Sequence, residues 1–157
     1  MRRALDRHGR TVEVRTFDAE VPTATAAAEQ LSCETGAIAN SLVFKAGDGV
    51  VLVLSSGARR VDLGRVARLL GLGRKKVRRA DPDLVLEVTG QQVGGVAPVG
   101  HPLPLRTLVD RELTKFDVVW AGAGDDHSMF ATNATDLLAM TGVELVDVAE
   151  PVGDREA

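Results

Sequence analysis

Ala37-Ile38-Ala39-Asn40-Ser41-Leu42-Val43-Phe44-Lys45-Ala46-Gly47-Asp48-Gly49-Val50-Val51-Leu52-Val53-Leu54-Ser55-Ser56 is the stretch whose reading decides the fold. Residues 37–46 and 50–56 are apolar runs carrying the β-branched residues that suit a pleated, buried surface. Gly47-Asp48-Gly49 between them supplies the turn chemistry of a hairpin. The stretch therefore predicts two antiparallel strands, with Lys45 at the end of the first.

Outward from this hairpin the same local signals recur. Upstream, residues 11–17 alternate as a short strand, and Pro22-Thr23 opens an Ala-rich helix in which Ala27 and Leu31 share a face and which is expected to end by Gly36. Downstream, Asp62 is placed to cap a helix that buries Leu63, Val66, Leu69 and Leu70 and stops at Gly71. A short basic strand around Val77 leads to Asp81-Pro82-Asp83, a helix start with proline in the first turn, and that helix should run to about Thr89. Residues 90–102 hold four glycines and two prolines and read as a loop of defined shape. Further strands are expected at residues 106–109, 117–121, 128–132 and 143–148, with a last helix over 134–140 between Asn133 and Gly142. The expected fold is α+β: a mixed, mostly antiparallel, curved or barrel-like sheet of about seven strands with short helices packed around it. One domain over residues 1–157 is expected, with a frayed tail after residue 150.

Composition narrows the class. A chain of 157 residues can remove roughly two-thirds of its unfolded surface from water, so a single self-sufficient core is the default. No apolar run approaches the ~18 residues that cross a bilayer, and no apolar segment follows the basic N-terminus, so a cytoplasmic protein with no membrane partner is expected. The single cysteine, Cys33, permits neither an internal disulfide nor a cysteine-based zinc site. The formal charge is -3, yet residues 59–79 hold nine of the nineteen Lys and Arg against one acid, Asp62. Such a run is a solvated face or a phosphate-facing patch, in which local neutralisation of phosphates releases counterions. Arg59, Arg60, Arg74, Lys75, Lys76, Arg78 and Arg79 are the candidate contacts.

Several chemistries lack their signatures. Gly71-Leu72-Gly73 and Gly122-Ala123-Gly124 each miss the third glycine of a dinucleotide fingerprint, and no Walker-type Gly-Lys-Ser/Thr occurs. No G-x-S-x-G elbow is present, and Cys33 has no histidine near it in sequence. His8, His101 and His127 are scattered, so neither a metal nor a cofactor is expected, and a metal-dependent hydrolase built from His101, Asp126 and His127 is the weakest reading. What remains is the strand lysine Lys45, the loop Gly94-Gly95-Val96-Ala97-Pro98, and a second Gly-rich turn carrying His127. Glycines let a backbone approach a ligand closely and proline holds the loop, so the loop has the composition of an anion or carbonyl cradle.

The order of these parts resembles the YbaK/EbsC family, the free-standing relatives of the editing domain inserted in bacterial prolyl-tRNA synthetases. The similarity runs from Pro22 almost to Glu150. It rests on Thr23-Ala24, on Asn40-Ser41-Leu42-Val43-Phe44-Lys45 with its likeness to a Lys-Ser-Leu-Val-Phe-Lys pattern, on Gly94-Gly95-Val96-Ala97-Pro98-Val99-Gly100, and on Val118-Val119-Trp120-Ala121-Gly122-Ala123-Gly124. The resemblance implies an aminoacyl-tRNA deacylase that acts in trans on mischarged tRNA, most simply tRNA(Pro) carrying alanine or cysteine, with prolyl-tRNA synthetase as a transient partner. Carried over residue by residue, it implies catalytic roles for Lys45, Gly95 and His127. It implies substrate contacts for Gly94, Val96, Ala97, Pro98 and Thr23, and His101, directly after the loop, is placed either to contact the terminal adenosine of the substrate or to serve the loop's own structure. A non-catalytic aminoacyl-tRNA or protein binding module of the same fold is the alternative, and the chain is expected to be a monomer or homodimer. The turn Asp125-Asp126-His127-Ser128 departs from the basic turn of cysteine-specific relatives, so the amino acid is not carried over.

Overall fold

Strands β2 (Ile38–Ala46) and β3 (Gly49–Ser56) pair antiparallel along their whole length, from Ala39 opposite Ser56 to Ala46 opposite Gly49. The two-residue turn works because Gly47 takes a φ of +60° without the steric penalty of a Cβ. In this computed structural model the described residues are 13–18, 23–93, 96–102, 105–125, 127–141 and 145–149. The expected frayed tail and the loop glycines Gly94 and Gly95 lie outside them.

Around the hairpin run β1 (Val14–Thr16), α1 (Ala24–Leu31), α2 (Leu63–Leu70), β4 (Val77–Arg79), α3 (Pro82–Thr89), β5 (Arg106–Asp110), β6 (Val119–Gly122), β7 (Ser128–Thr132), α4 (Ala134–Thr141) and β8 (Leu145–Val146). The eight strands form one open sheet in the order β1-β7-β6-β2-β3-β5-β8, with β4 paired to β2 beside that path. Four ladders are antiparallel, and three are parallel: β2–β6, β3–β5 and β5–β8. The fold is thus the expected mixed α+β arrangement. Its parallel ladders arise because β3 reaches β5, and β5 reaches β8, only through helices.

Side chains alternate across β2, so its two faces join different cores. Ala39 and Val43 pack with Leu52, Leu54, Val85 of α3, Val96, Phe130 and Leu137 of α4. Phe44 packs on the other face with Val51, Val53 and with Val66 and Ala67 of α2, and Ile38 packs there with Ala27, Ala28 and Leu31 of α1. Helices therefore cover both faces of the sheet.

The helix ends follow their capping chemistry. Asp62 accepts from the N–H groups of Gly64 and Arg65, and Gly71 closes α2 in the left-handed conformation at φ +71°. Asp81 accepts from Leu84 N–H at the start of α3, and Pro82 occupies its first turn. Helix α1 ends at Leu31, before Gly36, because Ser32 turns left-handed at φ 55°. Gly36 instead lies buried in a 3-10 turn, Thr35–Ala37, where a Cβ would stand 2.7 Å from Phe116 Cζ.

Candidate functional site

The outer edge of β2 is shared between two strands that do not meet. Ile38 and Ala39 pair in parallel with Trp120 and Ala121 of β6. Phe44, Lys45 and Ala46 pair antiparallel with Arg79, Arg78 and Val77 of β4. Between them the sheet is split, because β4 gives way at Asp81-Pro82 to α3, and proline has no N–H with which to extend a ladder. A cavity of about 420 Å³ fills the split. Asn40, Ser41 and Leu42 form part of its wall. Ala24, Ala27 and Ile38 close it on one side of the sheet, Val85, Val93 and Val96 on the other, and Gly122, Asp125, Ser128 and Met129 at the β6–β7 end. Small and apolar side chains dominate, and Arg79 and Asp125 are the charged residues of the wall.

Ser41 is a half-buried residue of this wall whose hydroxyl oxygen is itself buried. Its Oγ has no hydrogen-bond partner among the described residues. A buried hydroxyl left in that state costs about 1–3 kcal/mol, which a polar ligand group would recover.

The loop after α3 is braced from within. Gln91 Oε1 accepts from Ala97 N–H at 2.6 Å, and the Gln91 main-chain N–H is held by Thr89 Oγ1 at 3.0 Å. His101 Nε2 donates to the Ala97 carbonyl at 2.8 Å. Burial holds the His101 pKa below its ordinary 6.5, partly offset by that hydrogen bond, so the ring is neutral at neutral pH. Ala97 and Pro98 are therefore engaged or donorless: the Ala97 N–H is spent on Gln91, and Pro98 has none. Of the expected cradle, the Val96 N–H remains among the described residues, and Gly94 and Gly95 lie outside them. His101 is thus hydrogen-bonded to its own loop.

The other expected residues are distributed unequally. Thr23 lines the cavity, and its hydroxyl caps α1 by accepting from Ala26 N–H at 3.0 Å. Asn40, at the first lysine of the Lys-Ser-Leu-Val-Phe-Lys likeness, is in the wall, whereas Lys45, at the second, is not. Lys45 sits four residues along β2 from Ser41, about 13 Å between Cα atoms, between Val50 and Arg78. The main chain of His127 is held by Asp125, whose Oδ1 accepts its N–H at 2.8 Å, and by Phe17, which donates to its carbonyl. Its chain neighbour Ser128 is in the wall, and His127 itself is not. Among the described residues no group of three or more His, Cys, Asp or Glu is placed to hold a metal ion. No helix among them is long and apolar enough to cross a membrane.

The basic run divides in two. Arg59 forms an ion pair with Glu112, and Arg65 pairs with Asp62 and Asp147. Arg74, Lys75, Lys76, Arg78 and Arg79 are all exposed, on a 3-10 turn (Arg74–Lys76) and on β4. The Arg79 guanidinium lies 5.7 Å from the Phe44 ring centroid, and Arg79 also contributes to the cavity wall. The sequence reading missed Ser41 and Gln91, since nothing local in sequence reveals where a sheet edge splits or which amide a glutamine meets.

Comparison with known proteins identifies the family. The family model described as an aminoacyl-tRNA editing domain matches residues 18–140. The chain is 30% identical over 126 residues to the uncharacterized protein YwhH of Bacillus subtilis, covering 80% of this chain and 78% of that one. It is 29% identical over 117 residues to a proline–tRNA ligase of a Thermoanaerobacter species, covering 73% of this chain but 20% of the ligase. A crystal structure of a candidate trans-editing enzyme for prolyl tRNA synthetase superposes with a TM-score of 0.89 at 38% identity, over 96% of this chain and 94% of that one. The hypothetical protein APE2540 superposes with a TM-score of 0.86 at 28% identity, over 95% and 98% of the two chains. The chain belongs to the aminoacyl-tRNA editing domain family, in the branch related to the editing domains of prolyl-tRNA synthetases.

Proposed function

We propose, from that family membership, that the protein is a trans-editing deacylase that hydrolyses the ester joining a small amino acid such as alanine or cysteine to the 3' end of tRNA(Pro). The observation that carries this reading is the cavity: its volume lies within the 300–1,000 Å³ typical of small-ligand sites, and most of its lining residues are small or apolar, with polar groups among them. Such a wall rejects large side chains by contact, while separating similar small ones by only ~1–3 kcal/mol.

An aminoacyl ester is already activated, so its hydrolysis needs a positioned water and stabilisation of the oxygen that gains charge. The Val96 N–H, with those of Gly94 and Gly95, is assigned to that oxygen. Water is oriented by main-chain groups, by the substrate's 2'-hydroxyl, or by His127. Lys45 is assigned to the terminal phosphate, because it lies along β2 beside Arg78 rather than in the cavity wall. Arg74, Lys75, Lys76, Arg78 and Arg79 are assigned to the acceptor stem, and prolyl-tRNA synthetase is the proposed transient partner.

The test is deacylation of alanyl-, cysteinyl- and seryl-tRNA(Pro), with prolyl-tRNA(Pro) as control, by the wild type, Lys45→Ala and Asn40→Ala. One mischarged ester should be cleaved and the prolyl ester spared. Lys45→Ala should raise KM more than it lowers kcat, as loss of a phosphate contact does, and Asn40→Ala should lower kcat. Cleavage of none of them above the spontaneous rate, by a folded protein that still binds tRNA, overturns the catalytic reading. The non-catalytic binding module would then replace it, a reading that the absence of Lys45 and His127 from the wall would favour.

A further inference from the structure

Residues 39, 41, 43 and 45 of β2 direct their main-chain groups toward the split edge. The parity follows from Gly57 N–H donating to Ile38 C=O on the β3 side, and from Ala80 N–H donating to Val43 C=O and Gly47 N–H to Lys76 C=O on the other. Ala39 is bonded into β6, Lys45 into β4, and the Val43 carbonyl is taken by Ala80. Ser41 is left with both its N–H and its C=O unbonded on this edge among the described residues, and both face the cavity that its side chain helps to line. Its hydroxyl is buried without a partner as well.

An aminoacyl ester carries an amine and a carbonyl oxygen on either side of one α-carbon, at the spacing of a strand residue. Two residues facing each other in an antiparallel hydrogen-bonded pair exchange two bonds, N–H to O in each direction. Resting on the deacylase reading, we infer that the aminoacyl group of the substrate completes the split sheet as a one-residue strand opposite Ser41. The substrate amine donates to Ser41 C=O, and Ser41 N–H donates to the ester carbonyl oxygen, to which the loop N–H groups add as charge develops. The pairing is antiparallel, since a parallel partner cannot return both bonds to a single residue. The ester oxygen then leaves toward β6, where Gly122, Asp125 and Ser128 line the cavity. The side chain of the bound amino acid falls on the Ser41 face, among Ala39, Val43, Val85 and Val96. Recognition of the amino acid as a class thus belongs to the main chain, and selection by size belongs to these four apolar residues.

The probe is 3'-alanylamino-3'-deoxyadenosine, whose amide resists hydrolysis but keeps the amine and the carbonyl, compared with its propionyl counterpart, which lacks the amine. At saturation with the alanyl probe the Ser41 amide resonance should shift in a nitrogen–proton spectrum, and its hydrogen exchange should slow by about tenfold or more. The propionyl probe should bind about tenfold more weakly, for the loss of one hydrogen bond. In Ser41→Ala, which keeps both main-chain groups, the amide at position 41 should still respond to the alanyl probe. An unmoved Ser41 amide, or equal affinity for the two probes, overturns the inference. If alanyl-tRNA is nevertheless deacylated by the same preparation, the proposed function stands without it. If neither turnover nor probe binding occurs, both are overturned together.

Discussion

Gln91 illustrates how much one side chain can decide. Its amide oxygen satisfies the buried Ala97 N–H, and its own main chain is held by Thr89, so it connects the end of α3 to the loop that carries Val96 into the cavity wall. Gln91→Leu leaves that N–H without an acceptor, and should lower stability by about 1–3 kcal/mol in denaturant unfolding. It should lower kcat more than it changes KM, while Gln91→Glu, which keeps an accepting oxygen, should restore most of both. His101 holds the other side of the same residue, and its state depends on pH. Because burial lowers its pKa in the fold below the ordinary 6.5, the unfolded chain binds the proton more readily. Its contribution is complete above about pH 6.5 and is lost as pH falls through the lower folded value. Unfolding midpoints measured between pH 5 and pH 8 should therefore fall on acidification, and His101→Gln should flatten that dependence. An unchanged slope in His101→Gln would remove the histidine as its source.

At the scale of elements, the approach of α1 to the end of β3 depends on a missing side chain. A Cβ on Gly57 would stand 2.6 Å from both Ala24 Cβ and the Thr35 carbonyl oxygen, and Gly57 itself lines the cavity. Gly57→Ala should cost about 1–3 kcal/mol through displacement of packed backbone, and should narrow the cavity enough to weaken binding of any aminoacyl ester. Thermal unfolding together with the KM for the cleaved ester checks both. Local turn and cap chemistry made most elements legible in the sequence: Gly47-Asp48 for the hairpin, Asp62 and Gly71 for α2, Asp81-Pro82 for α3. The three parallel ladders were not legible, because a parallel partner is reached through a crossover and leaves no signal at either strand. Ser41 was overlooked for the same reason. Its neighbours in sequence describe an ordinary strand, and only the divergence of β4 from β6 leaves the main chain of one of its residues open to the cavity. Lys45 was prominent as a charge at a strand end, yet strand geometry carries it about 13 Å from Ser41.

For the whole molecule, the separation of paired from exposed cations predicts how the proposed tRNA binding responds to salt. Arg74, Lys75, Lys76, Arg78 and Arg79 are exposed together, whereas Arg59 is committed to Glu112. Replacing Lys75 and Lys76 with alanine should reduce the slope of log K against log salt by roughly 1 to 2, at about 0.7–0.9 per phosphate contact. Arg59→Ala should leave that slope unchanged and lower stability instead, since it removes the largely buried partner of Glu112 and leaves it the exposed Lys115 alone. Equal slopes for all variants would remove the exposed run from the interface.

The edge of β2 is open at Ser41 and closed at Val43 by Ala80. A growing polypeptide on tRNA presents the same ester, but its chain continues beyond the nitrogen. In an antiparallel pairing that continuation would have to pass Val43, where β4 already stands. A sheet with room for one residue would thereby leave nascent chains on the ribosome untouched while cleaving a single misplaced amino acid.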